Sequence, residues 1–240
     1  MGLKKTIRKY LGIPQLEESI SQATLTLERE VAFRQRELKA LEILKPYLPQ
    51  GYLFETGFSL PLQLIQHIVN DILVYQPKTI LELGSGLSTQ ILGNMIRMEG
   101  LDIKFISVDN NFTWQKMLKP KCPQVAFYSF LLSEQSPHSY TKSGVWYEIP
   151  EDPPWGENLI DMVLVDGPKG NSCEKARYGF IPFLKGRLSE LPIIYVDDTH
   201  RADERFIVEQ ASSAFDLPQV QSFHRYSRLS KVEDFYTAPA

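Results

Sequence analysis

The stretch Thr79-Ile80-Leu81-Glu82-Leu83-Gly84-Ser85-Gly86-Leu87-Ser88-Thr89 restricts the folds open to this chain more than any other segment. It reads as a short buried strand, a glycine turn and the start of a helix. Gly84 and Gly86 carry no Cβ, so backbone N–H groups at the helix start are free to approach a nucleotide-like ligand. Glu82, just before the turn, disfavours an anionic pyrophosphate and favours a ligand with a cationic head.

The alternation continues along the chain. Helices are expected at Leu16–Lys45, Leu60–Tyr75, Ser88–Met98, Thr113–Leu118, Gly179–Leu188 and Ala202–Phe215. Strands are expected at Thr79–Leu83, Lys104–Val108, Val125–Leu131, Asp161–Val165 and Ile193–Val196, with a final pair at Val220–Tyr226 and Arg228–Tyr236. Strand and helix in turn imply an α/β doubly wound, mostly parallel sheet with helices on both faces. The last pair adds a C-terminal antiparallel hairpin at one edge. The long first helix is a helical extension, so the division is residues 1–50 and residues 51–240. Within that helix Leu16, Ile20, Ala23 and Leu27 keep heptad spacing before the pattern shifts to Val31, Leu38 and Leu41. Two heptads and a skip suit packing on the main domain or on a partner subunit, as in a homodimer, better than an extended coiled coil.

At 240 residues the chain holds one large domain or one domain and an appendage. A net charge of -3 argues against a dedicated nucleic-acid binder. Cys122 and Cys173 make neither a metal-ligand pair nor a disulfide framework, which suits free thiols in a reducing, cytoplasmic compartment. No apolar run reaches the roughly 18 residues of a membrane span, and no signal peptide is apparent. Lys4, Lys5, Arg8 and Lys9 are interleaved with Leu3, Ile7, Tyr10, Leu11 and Ile13. This short basic amphipathic stretch suits weak contact with an anionic membrane surface, beside the plainer reading of a solvated terminal helix. Residues Met1 to Thr6 also fit a myristoylation pattern.

Ligands of a doubly wound sheet bind outside the carboxyl ends of its strands. Acidic residues stand at four such ends: Glu82, Asp109, Asp166 and the pair Asp197-Asp198. Carboxylates are rarely placed there for packing. Asp109 lies where a ribose-binding acid is expected, about 20 residues past the glycine turn. It is alternatively the N-cap of the next helix. The turn departs from the nicotinamide-dinucleotide fingerprint, since Thr89 replaces its third glycine.

Leu81-Glu82-Leu83-Gly84-Ser85-Gly86, Ser107-Val108-Asp109, Val165-Asp166-Gly167-Pro168 and Val196-Asp197-Asp198 together resemble the class I S-adenosylmethionine-dependent methyltransferases. More narrowly they resemble bacterial small-molecule or sugar O-methyltransferase-like proteins. Trp114, Arg177-Tyr178 and Asp197 through Arg201 fit that pattern, which covers about residues 55 to 236. The resemblance implies that Gly84, Ser85 and Gly86 border the methionine moiety, with Ser88, Thr89 and Asn110 beside them. It implies that Asp109 holds the ribose, that Glu82 receives the cationic end of the methionine, and that Ser59 reaches its carboxylate.

The strand-end acids also look like those of catechol-type O-methyltransferases, in which an Asp after the fourth strand and an Asp-Asn pair after the fifth hold magnesium. That likeness implies a divalent metal on Asp166, Asp197 and Asp198, with Lys169 as the base. Asp198 departs from it by standing in the Asn position, and Asp-Gly-Pro departs from its wording. The plainer roles are a helix cap for Asp197-Asp198 and a solvated loop for Lys169. His200 is a second base candidate, since an imidazole titrates near neutrality. His224 in a terminal strand and His67 on a helix read as structural, and His138 lies in a polar loop.

Asp152-Pro153-Pro154-Trp155 resembles the motif of amino-methyltransferases acting on adenine. There it follows the fourth strand, whereas here it precedes Ile160 to Val165, so it reads as a loop. Trp146, Tyr147 and Trp155 then suit a wall of the acceptor pocket or a partner interface. The reading for the whole chain is methyl transfer from S-adenosylmethionine to a hydroxyl of a small molecule or sugar. Beside it stand a non-catalytic assembly module on the same fold, the amino-methyltransferase, and a nicotinamide-dependent oxidoreductase.

Overall fold

The computed structural model describes residues 10–49, 56–231 and 236–239. The basic start of the chain and residues 232–235 of the expected last strand lie outside them. A seven-stranded sheet forms the centre. Five parallel strands, β1 (Thr79–Leu83), β2 (Lys104–Asp109), β3 (Ala126–Ser129), β6 (Ile160–Val165) and β7 (Leu188–Asp197), are followed by an antiparallel hairpin, β8 (Gln219–Ser222) and β9 (Tyr226–Ser230). The order across the sheet is β3-β2-β1-β6-β7-β9-β8. Strand order therefore reverses between β1 and β6, the switch point where such folds open a crevice. This is the doubly wound, Rossmann-like sheet that the alternation predicts, with its hairpin at the edge.

Period-two alternation sends each strand's residues to two cores. Leu81, Leu83, Val163, Val165, Ile194 and Val196 pack against α5 (Phe180–Leu184) and α6 (Ala202–Phe215). Ile80, Phe105, Met162, Leu164 and Tyr195 pack against α2 (Leu62–Tyr75) and α3 (Leu87–Met98). In α2 the residues Leu64, Ile65, Ile68, Val69 and Ile72 repeat at helical spacing and are all buried.

Helix α1 (Ile13–Leu44) docks through its C-terminal half, where Phe33, Ala40 and Leu44 are buried. Glu37 of α1 fastens it by capping α2 from outside. Its two carboxylate oxygens accept the N–H groups of Leu62 and Gln63 at 2.9 and 3.0 Å. The half of α1 from Pro14 to Val31 is exposed around its whole circumference.

Four elements differ from expectation. The helix expected through Leu188 stops at Leu184, and Leu188 instead opens β7 by pairing with Ile160 across a register shift. The third strand ends at Ser129. Leu132–Glu134 (β4) then pairs antiparallel with Val145–Tyr147 (β5) in a separate ribbon. Tyr226 begins β9 rather than ending β8. His224 lies in the turn between these two strands, not within one. The short helix α4 (Phe112–Leu118) follows β2.

Candidate active site

The carboxyl ends of β1, β2, β6 and β7 open into one cleft of about 490 Å³. Gly84, Ser85, Gly86, Ser88, Asp109, Asn110, Asp166, Lys169, Asp197 and Asp198 all line it. Glu82, Thr89 and His200 are not in its wall.

The glycine turn is set by close approach. Gly84 has φ of 101°, and a Cβ there would stand 3.2 Å from the backbone of both Asp166 and Gly167. Its N–H is held by the Val108 carbonyl at 2.7 Å, and the Asp166 N–H by the Leu83 carbonyl at 2.9 Å. Gly86 is extended, with φ of -174°. A Cβ there would meet nothing within 4 Å, so glycine at this position keeps the cleft clear. The Thr89 hydroxyl accepts the Gly86 N–H at 2.8 Å, closing the turn where a dinucleotide loop has its third glycine.

Asp109 ties the turn to β2. Its Oδ2 accepts the Ser85 N–H at 2.9 Å and its Oδ1 the Asn111 N–H at 2.7 Å. Burial raises its carboxyl above the usual value, and these backbone N–H groups oppose the rise. Asp109 is not the helix cap. Asn111 fills that position by accepting the Trp114 N–H at 3.0 Å. Trp114 in turn donates its indole N–H to the Ser85 carbonyl at 2.6 Å.

Glu82 lies beneath the turn and outside the cleft wall, where it acts as an internal support. It is 1% exposed. Its carboxylate accepts the hydroxyls of Ser88, Thr89 and Ser107 at 2.5, 2.5 and 2.6 Å. Burial outweighs these three donors and drives its carboxyl up to about 7. Thr89 likewise supports the turn from beneath. Gln115, which sequence reasoning missed, extends this network by donating to the Ser85 hydroxyl at 2.9 Å, which meets the Ser107 hydroxyl at 2.8 Å. Gln115 shares the buried side of this short helix with Leu118, and its residue type alone gave no signal of that role.

The three acids expected to hold a metal are engaged by an arginine instead. Asp166, Asp197 and Asp198 do not share an open position, because the buried guanidinium of Arg177 stands among them. It donates to Asp166 Oδ1 at 3.1 Å, to Asp198 Oδ2 at 3.2 Å and to the Asp197 carbonyl at 2.9 Å. Among the described residues no cluster of three His, Cys, Asp or Glu side chains is arranged to hold a metal ion. Burial raises the Asp166 carboxyl well above its usual value despite Arg177, and raises that of Asp197 to about 6. Burial also works against ionised Asp198, but Arg177, Arg225 and Arg201 outweigh it and hold this carboxyl low. Asp198 has φ of 61°, a left-handed conformation that Asp tolerates better than most residues.

His200 lies outside the cleft wall. It is 43% exposed, with its Nδ1 4.0 Å from Asp198 Oδ1. Lys169 does reach the cleft wall, with Nζ 4.9 Å above the exposed Phe58 ring. Ser59 lines the cleft and accepts the Thr56 N–H at 2.9 Å.

The aromatic wall divides. Trp146 and Trp155 are buried in the core, at 0% and 4% exposure, and serve neither the cleft nor an exposed interface. Tyr147 does line the cleft. A Cβ at Gly167 would lie 2.2 Å from its hydroxyl oxygen, so this strand end requires glycine. Asp152-Pro153-Pro154-Trp155 follows the side ribbon rather than a strand of the main sheet, as its reading as a loop anticipates.

No family model and no curated protein matches the sequence. Several solved structures are similar in shape. A methyltransferase-like protein from Silicibacter pomeroyi DSS-3 is 16% identical, with 74% of this chain and 88% of that one covered and a TM-score of 0.46. The SAH-bound Podospora anserina methyltransferase PaMTH1 is 14% identical, with 87% and 96% covered and a TM-score of 0.49. The O-methyltransferase from Bacillus cereus, in complex with SAH, is 13% identical, with 82% and 91% covered and a TM-score of 0.44. Identities this low and TM-scores below 0.5 leave the functional reading to the geometry of the cleft.

Proposed function

We propose that this chain is an S-adenosylmethionine-dependent methyltransferase that acts on a hydroxyl of a small molecule or sugar. The observation that carries the reading is the coupling of two strand ends: the Ser85 N–H in the glycine turn bonds Asp109 at 2.9 Å, and both residues face the cleft. This builds one nucleoside-sized cradle with an acid at its ribose end. A dinucleotide fold repeats the mononucleotide unit and adds a sixth parallel strand. Here the parallel series stops at five strands and reverses into a hairpin, which favours a single nucleoside.

The residues present fit the cofactor. Asp109 retains lone pairs for the ribose hydroxyls, and Gly86 leaves room for the methionine end. When bound, S-adenosylmethionine supplies a methyl group already activated by its sulfonium. The protein's remaining work is to position the acceptor oxygen and remove its proton. Asp166 gives one carboxylate oxygen to Arg177, and in this reading its second takes that proton. A carboxyl raised by burial is a base better matched to neutral pH than an ordinary Asp. Lys169, on the same strand-end loop, is the cation that steadies the developing oxyanion.

Calorimetric titration with S-adenosylmethionine and its demethylated product tests the reading. Both should bind, and Asp109→Ala should weaken both by roughly 10- to 100-fold through lost charge-assisted hydrogen bonds. No binding of either at millimolar concentration would refute it.

A further inference from the structure

The arginines of the cleft point to the chemistry of the acceptor, an inference that rests on the methyl-transfer reading above. The cleft wall carries four cations, Lys169, Arg177, Arg201 and Arg225, and four carboxylates, Asp109, Asp166, Asp197 and Asp198, with the arginines gathered beside the ends of β6 and β7. Arg177 is committed inward. Its nitrogens are engaged by Pro168, Asp166, Asp197 and Asp198, and it is 4% exposed.

Arg201 and Arg225 are committed only in part. Arg201 immediately precedes α6, and Arg225 lies in the turn between β8 and β9. They converge on Asp198 from these two elements, Arg201 through Nη1 at 3.1 Å and Arg225 through Nη2 at 3.0 Å. Their side chains remain 49% and 33% exposed. The Arg225 Nε is buried with no hydrogen-bond partner among the described residues. The turn that carries it is pinned, because the Arg225 carbonyl accepts the Thr199 N–H at 2.8 Å. Glu204 is not in the cleft wall, but a Cβ at Gly170 would lie 3.0 Å from its Oε1 and 2.9 Å from Arg201 Nη1, so this acid shares the charge of Arg201.

A guanidinium has five N–H donors in a planar fork suited to oxyanions. Asp198 therefore fixes the two forks and leaves donors to spare. A neutral acceptor would leave these spare charged donors unmatched inside a cleft, where charge is less screened than on an open surface. We propose that Arg201 and Arg225 bind a phosphate or carboxylate on the methyl acceptor. The substrate class is then an acidic hydroxyl compound, a phosphorylated or carboxylated small molecule or sugar.

The test uses the full chain saturated with the demethylated cofactor, titrated with inorganic pyrophosphate and separately with malonate. At least one should bind, with affinity falling as salt rises, and the tighter one identifies phosphate or carboxylate as the group read. Arg225→Ala and Arg201→Ala should each weaken it about tenfold or more, Arg225→Lys should weaken it less, and cofactor affinity should change by less than about twofold. Equal loss in the Lys and Ala variants with a lowered melting temperature would assign Arg225 a purely structural role and overturn the proposal. So would binding that survives in Arg201→Ala/Arg225→Ala. Cofactor binding with no anion binding up to about 10 mM would overturn the acceptor class and leave the methyltransferase reading standing. Arginine-dependent anion binding without cofactor binding would overturn both, since the anion would then belong to no methyl acceptor.

Discussion

Replacing Glu82 by glutamine measures how a buried carboxylate is tolerated beneath the glycine turn. Three hydroxyls donate to Glu82, which favours the ionised form, while near-complete burial opposes it. Burial wins, raising the carboxyl from 4.5 to about 7. A group whose folded pKa is raised contributes stability that is fully present below its unfolded pKa and is lost as pH climbs through the folded one. That rise corresponds to about 3 kcal/mol, of which about 2.5 kcal/mol disappears between roughly pH 5 and pH 8. A glutamine in this place does not titrate, and its amide can donate to hydroxyls that turn to accept. Urea unfolding of both proteins across that range, followed by tryptophan fluorescence, yields a difference in which other groups cancel. The natural chain should lose about 2.5 kcal/mol relative to the Glu82→Gln variant as pH rises. A difference flat to within about 0.5 kcal/mol would refute the reasoning, and the opposite slope would mean that the hydroxyls outweigh burial.

The remaining expectations concern packing and chemistry. Arg228→Met should cost about 3–5 kcal/mol, because it strips the cation from fully buried Asp71, whose Oδ2 is shared by Arg228 Nε and the Tyr195 hydroxyl at 2.6 Å each. Adding Asp71→Leu should recover part of the lost melting temperature, and a double variant less stable than Arg228→Met would count against the pair. Gly179→Ala should cost about 1–3 kcal/mol in chemical unfolding, since its Cβ would fall 2.3 Å from the buried Trp146 ring; a neutral effect would mean that the ring is free to move. Lys169→Met should slow methyl transfer by about 100-fold or more while leaving the demethylated cofactor's Kd within about twofold; a parallel loss of binding would make Lys169 a cofactor contact instead.

The sheet was legible because its near-continuous apolar runs are local. Ile80, Leu81 and Leu83 announce a buried strand, and β2, β6 and the end of β7 do the same. The first half of β7 was not legible. Glu190, Leu191 and Pro192 look like loop, and only pairing of Leu188 with Ile160 across a register shift makes the segment strand. The ribbon of β4 and β5 was hidden for the same reason, since three residues on each side find one another across a long intervening loop. Trp146 and Trp155 could not be placed from residue type, because an aromatic suits a core as well as a pocket wall.

The acids show a sharper division between what residue type reveals and what it hides. Their positions at strand ends followed from the alternation, and the structure puts Asp109, Asp166, Asp197 and Asp198 in one cleft. Their partners did not follow. Glu82 is answered by Ser88 and Thr89 on the adjoining helix and by Ser107 on the next strand. Asp109 is answered by the backbone N–H groups of Ser85 and Asn111, Asp166 by Arg177, and Asp198 by Arg177, Arg201 and Arg225 from three separate segments. A carboxylate read alone looks like a ligand waiting for a metal. Read with the arginines that the same strand ends gather, it is first a counterion, because a buried charge must be paired before it can bind anything else. By that argument the open N–H groups of Arg201 and Arg225, rather than the acids beneath them, are the part of the cleft left to choose the acceptor.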